Sequence, residues 1–236
     1  MTIDLRFDRA LSAFVKSAAQ SKTLREKTSI KDVIESCGIP HTEVDGIVID
    51  RLEVDFRFQI ERDTSVQVFG FPATVTKPLQ RRDVRHFVAD CHLGRLVRRL
   101  RLLGIDVLYD NNAADKGLVA ISQEHDRGLL TRDRRLLMHS AVETGYWLRS
   151  QFADEQAAEV IARFELRDVL RPFTRCANCN GELTRVTKAE VVEQLEPLTK
   201  IYYDDFRRCK GCGQVYWAGS HAPKLEAQLG RLGVTN

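Results

Sequence analysis

The chain lacks any apolar run as long as a membrane span, and its first residues lack the basic-then-apolar order of a signal peptide. No internal repeat and no low-complexity tract is present, which excludes solenoid arrays and compositionally disordered chains. An excess of charge of one sign is nearly lacking too. Thirty-six Lys and Arg against 33 Asp and Glu leave a net charge of +3, too small to argue alone for a polyanionic partner. Cysteine is scarce, six in 236 residues, and four of the six fall into two close pairs. Cys37 and Cys91 remain, expected as free thiols. That usage excludes a secreted disulfide scaffold and fits a reducing cytoplasm, the expected compartment. Apolar residues make up 43%, ordinary for a chain that buries a core, and the length admits two modest domains or one large one.

The two pairs are Cys176-Ala177-Asn178-Cys179 and Cys209-Lys210-Gly211-Cys212. Each C-x-x-C can grip one ion from a tight turn, and together they form a four-thiolate cage. Zinc takes tetrahedral sulfur readily and has no redox chemistry, so the cage is expected to be structural. Asn180-Gly181, Gly211 and Gly213 supply the small turn residues that knuckles need. The alternative is four unrelated thiols or a redox pair. With a structural cage, the chemistry must come from elsewhere.

Residues 1–70 read as a small mixed domain. Ile3, Leu5 and Phe7 alternate with polar residues and predict a strand. Leu11, Phe14 and Val15 have helical spacing. Ser29 followed by Asp32 marks a helix start, Ile30, Val33, Ile34 and Cys37 form its apolar stripe, and Gly38-Ile39-Pro40 stops it. Leu52, Val54, Phe56, Phe58 and Ile60 alternate with polar residues and predict a long strand; Ile47–Ile49 and Val66–Val68 predict two more. Strands around one helix at this length predict a ubiquitin-like β-grasp. Residues 70–84, with Gly70, Pro72 and Pro78, read as a linker. From Arg85 the order becomes strand, helix, strand: Phe87–Ala89, Leu93–Leu103 ending at Gly104, Ile105–Tyr109, a weak helix over 115–125, Gly128–Thr131, Tyr146–Leu148, and a helix through Ala157–Phe164. That alternation predicts an α/β fold, a parallel sheet with helices on both faces. A zinc segment over about 172–220 and a helix-like tail from Lys224 to Leu232 close the chain.

Ligands of an open parallel sheet bind at the carboxyl ends of its strands. Here those ends are acidic. The first strand leads to Asp90, the second to Asp110 and the third to Asp133; Asp115 opens the helix between, and Asp154-Glu155 follow the fourth strand. Gathered carboxylates repel one another unless cations bind, and oxygen-only donors select Mg²⁺ or Mn²⁺. Such ions activate water and stabilise the leaving oxygen in phosphodiester cleavage. Each acid also has a plainer reading: Asp90, Asp115, Asp133 and Asp154 as helix caps, Asp110 as a turn residue before Asn111-Asn112. Seven arginines fall between Arg81 and Arg101, against Asp83 and Asp90. The apolar stripe of the helix after Asp90 predicts that Arg95, Arg98, Arg99 and Arg101 lie on its other flank, where the planar guanidinium suits a phosphate backbone. A solvated helix face is the alternative.

The stretches Phe87–Leu96, Leu100–Asp106 and Leu130–Asp133, the two cysteine pairs, and Tyr216-Trp217-Ala218-Gly219-Ser220-His221, in that order, resemble the Mut-seven C-terminal RNase family over about residues 85–222. The resemblance implies a PIN-like fold with a fused zinc ribbon and a metal-dependent ribonuclease acting on RNA, with tRNA and ribosome-associated RNA among the candidates. It implies catalytic and Mg²⁺- or Mn²⁺-binding roles for Asp90, Asp115 and Asp133, an extra acid at Asp154, and zinc ligation by Cys176, Cys179, Cys209 and Cys212. PIN nucleases often carry Glu at the second acidic position, where this chain has Asp115. Trp217 and His221 match the terminal motif, and His221 is either an RNA contact or a packed histidine. The N-terminal region is similar to the ubiquitin-like domain that often precedes such nucleases. A sulfur-carrier role needs a free Gly-Gly terminus, which Val68-Phe69-Gly70-Phe71-Pro72 does not provide, so a docking role for RNA or protein is expected. The expected segments are 1–72 ubiquitin-like, 85–171 PIN-like, 172–222 zinc ribbon and a 223–236 tail. The competing function is a non-catalytic RNA- or ribosome-associated binding protein; a PIN-type toxin fits less well, because such toxins are short single domains.

Overall fold

The computed structural model describes residues 1–217. The predicted tail helix and His221 lie outside the described residues. The chain divides into two compact units, one of Met1–Val84 with Asn112–Arg149, the other of Arg85–Asn111 with Ser150 onward. The fold is mixed α/β, with an N-terminal five-stranded sheet, a central parallel sheet with helices, and a C-terminal three-stranded ribbon.

In the first unit, strand β1 (Thr2–Phe7) buries Ile3, Leu5 and Phe7 and exposes the residues between. It pairs antiparallel with β2 (Ala19–Thr23). A two-residue strand β3 (Thr28–Ser29) leads into helix α1 (Ile30–Glu35). Ser29 caps α1, its hydroxyl accepting from the Asp32 N–H at 3.1 Å. Strand β4 (Val44–Ile49), the short β5 (Leu52–Glu53) and β6 (Gln59–Ile60), and β7 (Thr64–Gly70) follow. The sheet order is β2-β1-β7-β4-β5, with β1 and β7 parallel at its centre, the β-grasp arrangement. Ile3, Leu5, Ile30, Ile34, Ile39, Val66 and Val68 are each at most 1% exposed in one core. Full burial of each such side chain contributes about 1.5–3 kcal/mol.

Two expectations fail in this region. The alternating run 52–60 is not one strand. Asp55 Oδ1 accepts from the Arg57 N–H at 2.8 Å and the Asp55 carbonyl from the Phe58 N–H at 3.2 Å. That local turn wins because Leu52 and Phe58 have no core to enter and remain 69% and 38% exposed. The helical spacing of Leu11–Val15 yields only a single 3₁₀ turn, Arg9–Leu11, capped by Asp8. The expected linker is also tied down. The side chain of Asp45, fully buried, accepts from the backbone N–H groups of Ala73 and Gln80 and pairs with Arg82 at 3.1 Å, and the Gln80 amide donates to the His41 and Val44 carbonyls.

The same unit holds helix α3 (Asp115–Glu124), strand β10 (Gly128–Thr131), helix α4 (Arg134–Leu137) and strand β11 (Gly145–Trp147). β10 and β11 run parallel, with Thr131 opposite Trp147. The second unit begins with β8 (His86–Ala89), helix α2 (Gly94–Leu102) and β9 (Asp106–Tyr109); β8 and β9 are again parallel. Gly104, just past α2, has φ +88°, and a Cβ there would meet the Arg171 carbonyl oxygen at 2.2 Å, so only glycine turns the chain here. Helix α5 (Ala153–Arg163) lies against α2. Phe87 and Phe164, both fully buried, meet edge to face at 4.9 Å. The ribbon comprises antiparallel strands β12 (Leu183–Val186), β13 (Phe206–Cys209) and β14 (Val215–Trp217). Between β12 and β13 run two short helices, α6 (Lys188–Val191) and α7 (Pro197–Tyr202). The capping box Thr187/Glu190 starts the first of them, a signal present in the sequence and not used.

Candidate active site and metal centre

The four cysteines meet. Their sulfurs all lie within 4.8 Å of one another, with Cys176 to Cys212 at 3.6 Å and Cys179 to Cys209 at 3.4 Å. A tetrahedron of 2.3 Å zinc–sulfur bonds has edges of about 3.8 Å, so the donor set suits zinc. Glycine makes the room: a Cβ on Gly181 would stand 3.0 Å from the Cys209 sulfur and 3.3 Å from that of Cys179. The Gly211 N–H points at the Cys209 sulfur at 3.3 Å. Burial opposes ionisation of Cys176, but the Tyr216 hydroxyl at 3.1 Å, the N–H groups of Cys179 and Asn178, and the Cys212 thiol together hold its pKa down at about 6. Tyr216 in turn accepts from the Ala177 N–H, and burial beside Cys176 keeps its phenol protonated. Trp217 packs with Val191, Leu195, Phe206 and Val215 in the ribbon's own small core.

The first knuckle is tied to α2 and β9. Arg101, only 4% exposed, donates to the carbonyls of Ala177 and Asn178 at 3.2 and 2.6 Å and to that of Val107 at 2.8 Å. Asn180 donates to Asp106 at 2.7 Å and accepts from the Val107 N–H; Arg175 pairs with the same Asp106. Arg101 therefore corrects the expectation for its flank. It points inward because its position follows Leu100 at the buried end of the helix, and its fork fits three backbone carbonyls better than water. Replacing Arg101 with Met should cost about 2–4 kcal/mol, because those buried acceptors lose their donor. Chemical denaturation checks the loss, and RNA affinity of the folded variant at fixed salt should stay unchanged.

The rest of the arginine block divides. Arg81 pairs with Asp126 and Asp83, Arg82 with Asp45, and Arg85 donates to the Phe164 carbonyl. Arg99 pairs with Asp154 at 2.8 Å. Both of those groups are partly exposed, so the pair adds about 0–1 kcal/mol at most. Arg95 and Arg98 face solvent. Sequence reasoning passed over Arg132 and Arg135, which are exposed on either side of Asp133; the run Arg132-Asp133-Arg134-Arg135 was the available signal.

The second unit holds Asp90, Asp110 and Asp154, and the first holds Asp115 and Asp133. In the second unit, Asp90 directly follows β8 and is 8% exposed. It begins a 3₁₀ turn without its side chain capping it. Its carboxylate, hydrogen-bonded to the Cys91 thiol, pushes that thiol's pKa up and leaves it protonated. Asp154 lies in the first turn of α5, whose cap position is Phe152, so the capping alternative for Asp154 fails. In the first unit, Asp115 opens α3, whose cap position is Ala114, and its carboxylate takes no hydrogen bond among the described residues. Asp133 caps α4. Its Oδ1 accepts from the Arg135 N–H at 2.8 Å, and its own N–H donates to the Thr131 hydroxyl at 2.9 Å. Asp110 is exposed after β9.

An α/β chain with a parallel sheet, acids after its strands and a four-thiolate knuckle on a three-stranded ribbon is thus defined. A family model described as the Mut7-C RNAse domain matches residues 85–229, and one described as the Mut7-C ubiquitin domain matches residues 1–75. The chain belongs to the Mut7-C RNAse domain family, preceded by the ubiquitin-like domain. No curated protein and no solved structure matches it. No helix among the described residues is long and apolar enough to cross a membrane.

Proposed function

We propose that the chain is a metal-dependent ribonuclease with Asp90, Asp115 and Asp133 as its catalytic acids. The observation that carries the reading is the state of these acids within a Mut7-C RNAse chain. Asp90 and Asp133 each follow the carboxyl end of a parallel strand. Asp133 uses Oδ1 as a cap, and its second oxygen takes no hydrogen bond among the described residues. All-oxygen donors of this kind suit Mg²⁺ or Mn²⁺. When bound, such an ion lowers the pKa of a water nucleophile and stabilises the leaving oxygen. The chain's own residues position it: Thr131 fixes the backbone ahead of Asp133, and the cap fixes its carboxylate. Asp154 is proposed as the extra acid of the site, paired with Arg99 at 2.8 Å. Zinc is proposed in the four-cysteine cage with a structural role, and RNA as the substrate. The fate of total cellular RNA with purified protein and Mn²⁺, with ends sequenced, tests the reading. New ends dependent on the metal and abolished by EDTA support it, whereas binding without cleavage leaves the RNA-binding alternative.

Arg95 and Arg98 are proposed as phosphate contacts. Replacing both with Ala should weaken binding to all RNA sequences alike and lower the slope of log K against log salt by about 0.7 per lost contact. An unchanged slope, measured by filter binding at several salt concentrations, makes them a solvated face only.

A further inference from the structure

The ubiquitin-like region holds the end of β11 through buried, directional contacts and touches the loop that carries Asp133 through Arg134. Glu43 is 3% exposed. One of its oxygens accepts from the backbone N–H of Trp147 at 2.6 Å, and the other pairs with Arg149 at 2.5 Å. Arg149 also donates to the Trp147 carbonyl at 2.6 Å and stacks on the Tyr146 ring at 4.5 Å. Two residues back, His41 has its Nε2 on the Val142 carbonyl at 2.8 Å and its Nδ1 on Glu35 at 2.7 Å. Glu43 thus holds the end of β11, and His41 holds the loop that leads into it.

The hold passes on to Asp133 from both sides. The Trp147 indole N–H donates to the Arg132 carbonyl at 3.0 Å, immediately before Asp133. Arg134, immediately after it, lies over the Trp147 ring at 4.4 Å and the Phe14 ring at 4.8 Å, and donates to the Ala13 carbonyl at 2.7 Å. Phe14 and Trp147 are themselves 5.1 Å apart, and Trp147 packs against the β-grasp core. A domain carried on a flexible tether makes no such set. Removing Glu43 would take the acceptor from the Trp147 N–H and the carboxylate partner from Arg149.

We propose that the ubiquitin-like domain is an internal buttress of the nuclease half, with Glu43, Phe14 and Arg134 acting as positioning residues for the Asp133 loop. This goes beyond the expectation of a docking module. The part that concerns cleavage rests on the ribonuclease reading of Asp133; the part that concerns the loop's order does not.

The test uses the full chain with zinc content and circular dichroism as controls for folding. Amide exchange is read by mass spectrometry in Glu43→Ala, Glu43→Gln and, as a milder variant, Arg134→Lys. In Glu43→Ala, exchange should rise about tenfold over 131–137 and 145–149 as well as locally. The Gln carbonyl still accepts from the Trp147 N–H, so Glu43→Gln should recover much of the protection. Arg134→Lys keeps the charge but cannot both stack on two rings and reach Ala13, so it should loosen 131–137 without unfolding the β-grasp. In cleavage assays kcat should fall about tenfold with KM within about twofold, since the site is misplaced rather than its charge removed. If exchange rises only within 1–75, the domain is an independent module and the proposal is overturned. If the loop loosens as described in a chain that never cleaves RNA, the buttress stands and the ribonuclease reading falls.

Discussion

Asp133→Asn is expected to lower metal-dependent RNA cleavage by about 10²–10³-fold or more while leaving the fold intact. The fold should survive because Asp133 caps α4 through one oxygen, and asparagine caps a helix equally well. What the substitution removes is the charge. An ion held by fewer carboxylates binds more weakly, and its work on the water and on the leaving oxygen fails together. RNA affinity should hold or increase, since one negative charge facing the phosphates is gone, with Arg132 and Arg135 still exposed beside it. Single-turnover cleavage at saturating Mn²⁺, with a thermal melt as control, gives the answer. A variant as fast as the parent sinks the metallonuclease reading and leaves an RNA-binding protein in its place.

Loss of the four-cysteine site is expected to have the largest effect on stability. The native chain should carry about one zinc, and Cys176→Ser should lose it together with the order of the ribbon. Apparent binding energies of about 10–16 kcal/mol are typical of structural zinc, at least comparable to what the ribbon core of four buried residues supplies. The damage should not stop at the ribbon. Arg101 and Asn180 join the Cys176 knuckle to Val107 and Asp106, so amides of β9 should exchange faster as well. The sign of the pH dependence follows from the thiols. Despite the Gln214 N–H, burial and the neighbouring cysteines push Cys212 up to about 12 and so oppose the sign set by Cys176, whose pKa of about 6 in the fold lies below the unfolded value of about 8.5. The Cys176 contribution to stability is complete above the unfolded value and is lost as pH falls through the folded one. Protons also displace the metal, so zinc release should increase steeply as the solution is acidified. Elemental analysis and exchange across a pH series measure both. A zinc-free native chain with an ordered ribbon refutes the assignment.

Much of this was legible in the residues. The C-x-x-C pairs fold back on one another because their spacing and small neighbours leave few other arrangements. Ile3, Leu5 and Phe7 form a strand with its inner face buried, and Ser29 caps the helix that was expected there, since both depend on local period and local hydrogen bonds. The order of strands and helices after Arg85 likewise emerges from periodicity, and the family follows from motifs in a fixed order.

Other features depended on what each residue meets at a distance. The alternation at 52–60 had the period of a strand, but no core faces Leu52 or Phe58, so a local Asp55 turn took over. Arg98 and Arg101 are indistinguishable by type and lie on the same helix. One faces water, and the other is buried against carbonyls some 76 residues away in sequence. Asp154 and Arg99 cancel one another across a similar gap. Sequence by itself determined most of the elements, the four-cysteine cluster and the family, because these rest on neighbouring residues and on motifs in a fixed order. Only the tertiary structure decided which charges face solvent and which satisfy the fold. A buried charge must find a partner wherever the chain brings one, and that partner cannot be read from spacing.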